Sequence, residues 1–469
     1  MNFSKKWGRM NMTKPFSFSA FVMNTASHIT HGLWRDEEGY QLDFNDVDLW
    51  VSLAKRLEEG GFDAIFFADV IGLYGDYRGG RDFHVKTGLQ IPSNDPMVLM
   101  SALAVNTKQI GLAFTAAPLQ EPPFNFARRV STLDHISKGR IAWNMVTSSL
   151  ENAFRNFGYD ALVPHDERYK WADEYVDVLY KLWEGSWDDG ALLQDRESGI
   201  HADSSMVHKI NHVGERYKVE GPHLVAPSPQ RTPVLFQAGS SSAGRDFAAR
   251  NAEAVFIVAP DPENARKLIN DTRSLAIHNG RDGHDLHFYQ GLSFVVGETE
   301  EEAQRKDFEL DQKTDFNMMI AHMAGGMGID LGNVDLDTPL ENIETEGVRS
   351  TFEWLKQSTP GRTPTVKDLA KMRSKTNRIV GTPETIADQL ELWRDAGVDG
   401  INVINATIPG SYEEFIGQVM PVLRKRGLAR DKHDEPSTLR HQLFGMDRLN
   451  ERHPASRYRG AFAIKDVVQ

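Results

Sequence analysis

The chain has 469 residues, 40% of them hydrophobic and 25% charged, which is enough apolar matter for a sizeable core without metals or crosslinks. A formal charge of -13 disfavours a nucleic-acid partner, because phosphates are met by Lys and Arg. The absence of cysteine excludes disulfides, thiolate nucleophiles, iron–sulfur clusters and Cys-ligated zinc together.

Residues 1–16 carry Lys5, Lys6 and Arg9 but no apolar core of a signal peptide. No apolar run nears the roughly 18 residues that cross a bilayer, so no membrane association and a cytoplasmic location are expected. From there on, short β-rich runs alternate with amphipathic helical stretches, the signature of βα units around a parallel sheet. The first strand is expected at 16–22 (FSFSAFV), and after a long loop a helix runs from about Asp46 to the pair Gly60-Gly61. The second strand, 63–68 (DAIFFA), is continuously apolar, as a strand buried on both faces should be, and Asp69 stands where it stops. Asp95 then caps a helix that has Pro96 at its first position. Strands three and four fall at 109–115 and 140–147, separated by a helix over 124–136. A long helix follows over 166–184, with Asp166 as its expected N-cap.

Strand five, 233–237, leads through a glycine and serine turn, 238–242, into a helix ending near Arg250. Strand six is 254–258, its helix 262–279, strand seven 286–296, and Thr299 opens the next helix. A helix over 383–396 leads into strand eight, 400–405, and a closing helix runs from about Tyr412 to Arg426. The pattern is that of an α/β chain folded as a (β/α)8 TIM barrel, with insertions after helix 4 (about 185–232) and between strands 7 and 8 (about 314–381). Both insertions are expected as walls or lids of a site at the face where strands end. The tail, 431–469, is polar and aperiodic and is expected to wrap the body or a partner subunit. The whole chain, 1–469, reads as one barrel domain.

Asp69, at the C-terminal end of a buried strand, stands where barrel enzymes keep working groups, although a loop cap would occupy the same place. His28 and His31 (NTASHITHGLWR) follow strand one and can act as acid, base or hydrogen-bond donor near neutrality. They lack the helix-borne HExxH spacing, so no metal site is expected. Strand four ends in WNMVTSS, whose Asn144, Ser148 and Ser149 suit an uncharged ligand rich in ring nitrogens and carbonyls, or ordinary turn capping. The turn Ala238-Gly239-Ser240-Ser241-Ser242 presents backbone N–H groups at a helix start with Arg245 nearby, which fits a phosphate or a plain N-cap. It matches neither GxGxxG nor a P-loop. Arg168 and Tyr169 (HDERY) can reach an anion at the start of the long helix, or merely line an exposed first turn. His322 lies in the glycine-rich AHMAGGMG, which reads as a lid or as a flexible surface loop.

Taken together, HITHGLWR, FFADV, ARRVSTLDHISKGRIAWNMVTS, NFGYD, HDERY, SPQRTPVLFQAGSSSAGR and GTPETIADQLELWRDAGVDGINV resemble the bacterial luciferase-like flavin monooxygenases. The branch is the one that holds nitrilotriacetate monooxygenase component A, dibenzothiophene sulfone monooxygenase, long-chain alkane monooxygenase and riboflavin lyase. The likeness runs from about residue 16 to about residue 460. It implies an FMN site of Asp69, Ser148, Tyr169, Ala238, Gly239, Ser240 and Ser241, with Ser149 beside the flavin, to which the residue reading adds Asn144. It also implies His28, Tyr74, Gln90 and His322 as catalytic groups. Thr25 stands where the alkane enzyme has cysteine and Ser149 where it has histidine, changes that suit a polar or aromatic substrate better than a hydrocarbon.

The implied activity is an FMNH2-dependent monooxygenase of the two-component kind, working through a flavin hydroperoxide. A separate NAD(P)H:flavin reductase would supply the reduced FMN, O2 would be co-substrate, and a homodimer or homotetramer is implied. Riboflavin, a long-chain alkane, a sulfone or an aminopolycarboxylate would be the small organic substrate of a catabolic step. Two alternatives stay open: an F420-dependent oxidoreductase on the same barrel, and a non-catalytic flavin-binding protein.

Overall fold

The computed structural model describes residues 14–37, 39–239, 241–327, 330–342, 362–368, 377–431 and 435–463. Eight strands form its centre: β1 (Ser17–Met23), β2 (Ala64–Ala68), β3 (Gly111–Ala116), β4 (Ile141–Met145), β5 (Val234–Gln237), β6 (Ala254–Ile257), β7 (His287–Val296) and β8 (Gly400–Ile404). Each pairs in parallel with the next, and β8 returns to β1 in the register Ser17↔Gly400, so the sheet closes on itself. This is the (β/α)8 barrel the pattern predicts.

Side chains alternate along each strand between two environments, as a period of two requires. Phe21, Phe66, Ala113, Ala142, Phe236 and Tyr289 pack together inside the barrel. Phe18, Ala20, Ile65, Phe67, Leu112 and Trp143 face outward and join the larger core beneath the helices. Both faces of the strands are thus apolar, which is why the sequence shows continuous hydrophobic runs there.

The longer helices are α1 (Val47–Gly60), α2 (Pro96–Asn106), α3 (Pro123–Ser137), α4 (His165–Tyr180), α5 (Ser242–Asn251), α6 (Pro262–His278), α7 (Glu300–Lys313), α8 (Phe316–Met327) and α9 (Pro383–Asp395), and shorter helical turns from Gly410 to Lys425 close the barrel after β8. Asp46 and Asp95 cap α1 and α2 through hydrogen bonds to Asp48 N and Met97 N, and Gly61 ends α1 in the left-handed conformation. Asp166 does not cap α4 as expected. The helix begins one residue earlier, at His165, with Pro164 before it, and Asp166 sits in the first turn against the His165 ring.

The two insertions emerge at opposite ends of the barrel. Residues 185–232 follow a helix and precede a strand, so they emerge at the face where strands begin. There His223 meets Ser131 of α3 at 2.9 Å and the Gln230 amide donates to the Asp134 carboxylate at 2.7 Å. The segment's Tyr217 reaches along α4 to accept from the Trp171 indole N–H and packs on the cluster of Leu150, Phe154, Val70 and Ile71 beside the mouth, so this segment backs the site from outside. The second insertion follows β7 and does lie over the mouth: Asp315 N donates to His31 O, and Asp330 accepts from Arg78 N and Gly79 N at 2.9 and 2.7 Å. It has a small core of its own, in which Met318, Ile320, Ala324 and Leu331 pack with Tyr77 and Leu89 from the loop after β2.

The tail closes the other end. Leu439 and Leu443 join the inner barrel cluster. Between them the fully buried Arg440 pairs with Glu253 at 2.7 Å and donates to the carbonyls of Thr232 and Pro233. It is a plug at the strand starts. No helix among the described residues is long and apolar enough to cross a membrane.

Candidate active site

At the C-terminal ends of β2 to β5 the strands open into a cavity of about 460 Å³. Asp69, Ser148, Ser149, Tyr169, Ala238, Gly239 and Ser241 all line it, so most of the cofactor candidates share one chamber. Ser240 lies outside the described residues. Tyr169, on the first turn of α4, places its hydroxyl among Ser241, Thr147 and Gln237. Gly239 is required by that contact, since a Cβ there would stand 2.8 Å from the Tyr169 hydroxyl and 2.8 Å from Gly244 Cα. Ser241 caps α5, its Oγ accepting from Gly244 N at 3.1 Å. The cap reading and the phosphate reading are therefore compatible: one side chain holds the helix start while the turn faces the cavity.

Arg168 adds a cation to this end. Its guanidinium donates to the Ser148 carbonyl, yet its Nε is buried without a hydrogen-bond partner among the described residues. Ser148 itself holds φ at 56°, the left-handed region that a serine rarely adopts, and such backbone strain is characteristic of binding sites.

Deeper in, Asn144 donates to Thr115 Oγ1 at 2.9 Å, and that hydroxyl donates in turn to Phe67 O. Thr115 can therefore only accept from the amide, which fixes its orientation and leaves Asn144 Oδ1 buried without a partner among the described residues. The Asp69 carboxyl is pushed up to about 7, first by burial and then by the nearby Asp95 carboxylate. It also borders a second cavity, of about 450 Å³, lined by Arg81, Gln90, Asn94, Asn152 and Asn156.

The four catalytic candidates come together around the lid. His322, on α8, lies 3.0 Å from the Tyr74 hydroxyl through Nε2. Gln90 donates to the His28 carbonyl at 3.1 Å, and Gln90 too has a left-handed φ, of 51°. The His28 ring packs on Phe21 and is held down to about 3 by burial, then by His322. It is therefore a neutral ring at any ordinary pH, with Nδ1 lacking a hydrogen-bond partner among the described residues. Tyr74 borders a third and larger cavity of about 860 Å³, and burial raises its phenol above the ordinary range, so it stays protonated. Residues 321–327 of AHMAGGMG are helical, and Gly325 is there because a Cβ would stand 2.4 Å from that of Tyr74.

Two features correct or extend the sequence reading. The Thr25 hydroxyl has no hydrogen to give a substrate, because its Oγ1 donates to Pro92 O at 2.7 Å, and it can only accept. His31, left out of the catalytic set, is fully buried and touches His322 Nδ1 with its Nε2 at 2.8 Å. The HxxH spacing singles it out, but nothing local shows a partner 291 positions away.

Comparison with known proteins gives the family and the fold. The model of the luciferase-like monooxygenase family matches residues 23–400. The chain is 43% identical to the long-chain alkane monooxygenase of Geobacillus thermodenitrificans (strain NG80-2), over 96% of this chain and 99% of that one. It is 42% identical to the dimethyl-sulfide monooxygenase of Hyphomicrobium sulfonivorans, over 97% and 96%. Among solved structures, riboflavin lyase with modified FMN and riboflavin superposes with a TM-score of 0.87 at 36% identity, covering 95% of this chain and 100% of that one.

Proposed function

This chain belongs to the luciferase-like monooxygenase family, and on that premise we propose that it is the oxygenase of a two-component system, using FMNH2 from a separate NAD(P)H:flavin reductase and O2 to oxidise a small polar organic substrate. The observation that carries the reading is the chamber in which Tyr169, the Gly239 turn, Arg168, Ser148 and Asp69 converge. Its donor set fits FMN. The buried Arg168 Nε and the turn at the start of α5 suit a phosphate, while Asn144 Oδ1 and the uncharged groups of β4 suit ring N–H and carbonyl groups.

Reduced FMN, when bound, supplies the two electrons with which O2 is activated. The chain's own work is binding, shelter and proton placement. Tyr169, Arg168 and the turn would hold the anionic end, and Asn144 and Asp69 would meet the polar edge of the ring system. The lid helix α8, seated on Tyr74 through Gly325, covers part of the mouth. His28, neutral through burial, and Tyr74, protonated through burial, are uncharged hydrogen-bonding groups, as a dry site requires. The polar cavity beyond Asp69, with Arg81, Gln90 and three asparagines, supports a hydrogen-bonding substrate over a hydrocarbon.

The test is product analysis by mass spectrometry with FMNH2, air and a panel of riboflavin, a sulfone, an aminopolycarboxylate and an alkane. Oxidised product from a polar member with none from the alkane is the expected result. Flavin binding with oxygen consumption no higher than that of free FMNH2 would make the chain a carrier, and a tightly held deazaflavin would make it an F420 enzyme.

A further inference from the structure

The loop after β1 sends two side chains toward the lid that the reading above leaves unused. Ser27 Oγ lies 2.6 Å from His31 Nδ1, His31 Nε2 lies 2.8 Å from His322 Nδ1, and His322 Nε2 lies 3.0 Å from Tyr74 Oη. Groups from the β1 loop, the β2 loop and the lid thus form one line. Ser27 is 3% exposed and His31 0%. Burial holds His31 well below the ordinary histidine range, so its ring is neutral and carries one N–H and one lone pair.

Where the His322 ring also carries a single N–H, such a chain runs in only two directions. In one, Ser27 donates to His31 Nδ1, His31 Nε2 donates to His322 Nδ1, His322 Nε2 donates to Tyr74 Oη, and the phenol hydrogen is left to point into the cavity. In the other, Tyr74 donates to His322 and shows the cavity only lone pairs. The two ends of the chain decide between them. The Ser27 hydroxyl has His31 as its only hydrogen-bond partner among the described residues. Were Ser27 to accept, its own hydrogen would be buried with nothing to receive it, and a stranded buried donor is costlier than an unused lone pair. Tyr74 is under no such constraint, because it borders a large cavity where solvent or a ligand can accept.

We propose that His322 is neutral and that Ser27 and His31 are positioning residues that lock it in its Nε2–H tautomer, which presents Tyr74 to the cavity as a hydrogen-bond donor. The same contact latches α8 to the β1 loop, beside the bond from Asp315 N to His31 O. A closed lid and a correctly directed phenol are then one event. The catalytic consequence rests on the monooxygenase reading; the tautomer assignment does not.

The experiment has two arms. Nitrogen NMR of the full chain carrying 15N-histidine reads ring tautomers directly, with His31→Phe and His322→Phe assigning the two signals. Neutral Nε2–H tautomers at both positions are expected; an Nδ1–H tautomer or an imidazolium at either overturns the proposal, whatever the enzyme's substrate. In turnover, His31→Phe is expected to lower kcat at least about tenfold, with substrate KM and FMNH2 affinity within about twofold of wild type. His31→Gln, whose amide can accept from Ser27 and donate to His322, is expected to recover most of the loss. Unchanged kcat in His31→Phe would overturn the proposed role.

Discussion

Replacing Asp69 by asparagine isolates the electrostatic character of the mouth. Burial and Asp95 move this carboxyl from 3.8 to about 7 in the folded protein. At about 1.4 kcal/mol per pH unit, the ionised carboxylate is about 4 kcal/mol less favourable folded than unfolded. Because the folded value lies above the unfolded one, the folded chain holds an extra proton between about pH 4 and pH 7. Stability from this group is therefore greatest below pH 4, falls as pH rises through that window, and stays at its minimum above pH 7. Asp69→Asn cannot ionise, so its stability relative to wild type should climb by up to about 4 kcal/mol between pH 4 and pH 8. For a chain of this length that is a relative rise in Tm of about 4 °C, readable by thermal melts at a series of pH values. A Tm difference that is flat across the window, or that changes in the opposite sense, would refute the claim that Asp69 is ionised against a dry environment.

Gly325→Ala places a methyl group 2.4 Å from Tyr74 Cβ, so the lid and the β2 loop must part; steady-state kinetics should show kcat falling at least about tenfold while FMNH2 affinity holds. Arg440→Met strands the Glu253 carboxylate beneath the barrel, at a cost of about 3–5 kcal/mol, and adding Glu253→Gln should restore most of it in denaturant titrations.

The barrel was legible because each strand is buried on both faces and therefore written as an apolar run with polar caps, as in AIFFA between Asp63 and Asp69. The face on which 185–232 lies was also readable in principle, since a segment between a helix and the next strand must leave at the strand starts. The tail's role was not: Leu439 and Leu443 are two apolar residues in a polar stretch, and the partner of Arg440 is 187 positions away. At the site, the turn after β5 and the end of β4 carry local chemistry, so their residues could be chosen from sequence, whereas the lid was misread as possible loop because glycines weaken a helix pattern. Gly325 is there for its close approach to Tyr74, a reason that exists only in three dimensions. The same holds for His31, whose importance comes from His322, and for Thr25, whose hydroxyl is already engaged by Pro92 O.

The claim that most depends on this geometry is that the chamber beside Tyr169 holds reduced FMN by its phosphate end. Anaerobic titration of the full chain with FMNH2, followed by flavin absorbance and calorimetry, should give saturable binding at one FMNH2 per chain. Gly239→Ala, which puts a methyl group 2.8 Å from the Tyr169 hydroxyl, should weaken that binding at least about tenfold while the fold survives. No saturable complex with the wild-type chain, or equal affinity in the variant, would contradict it.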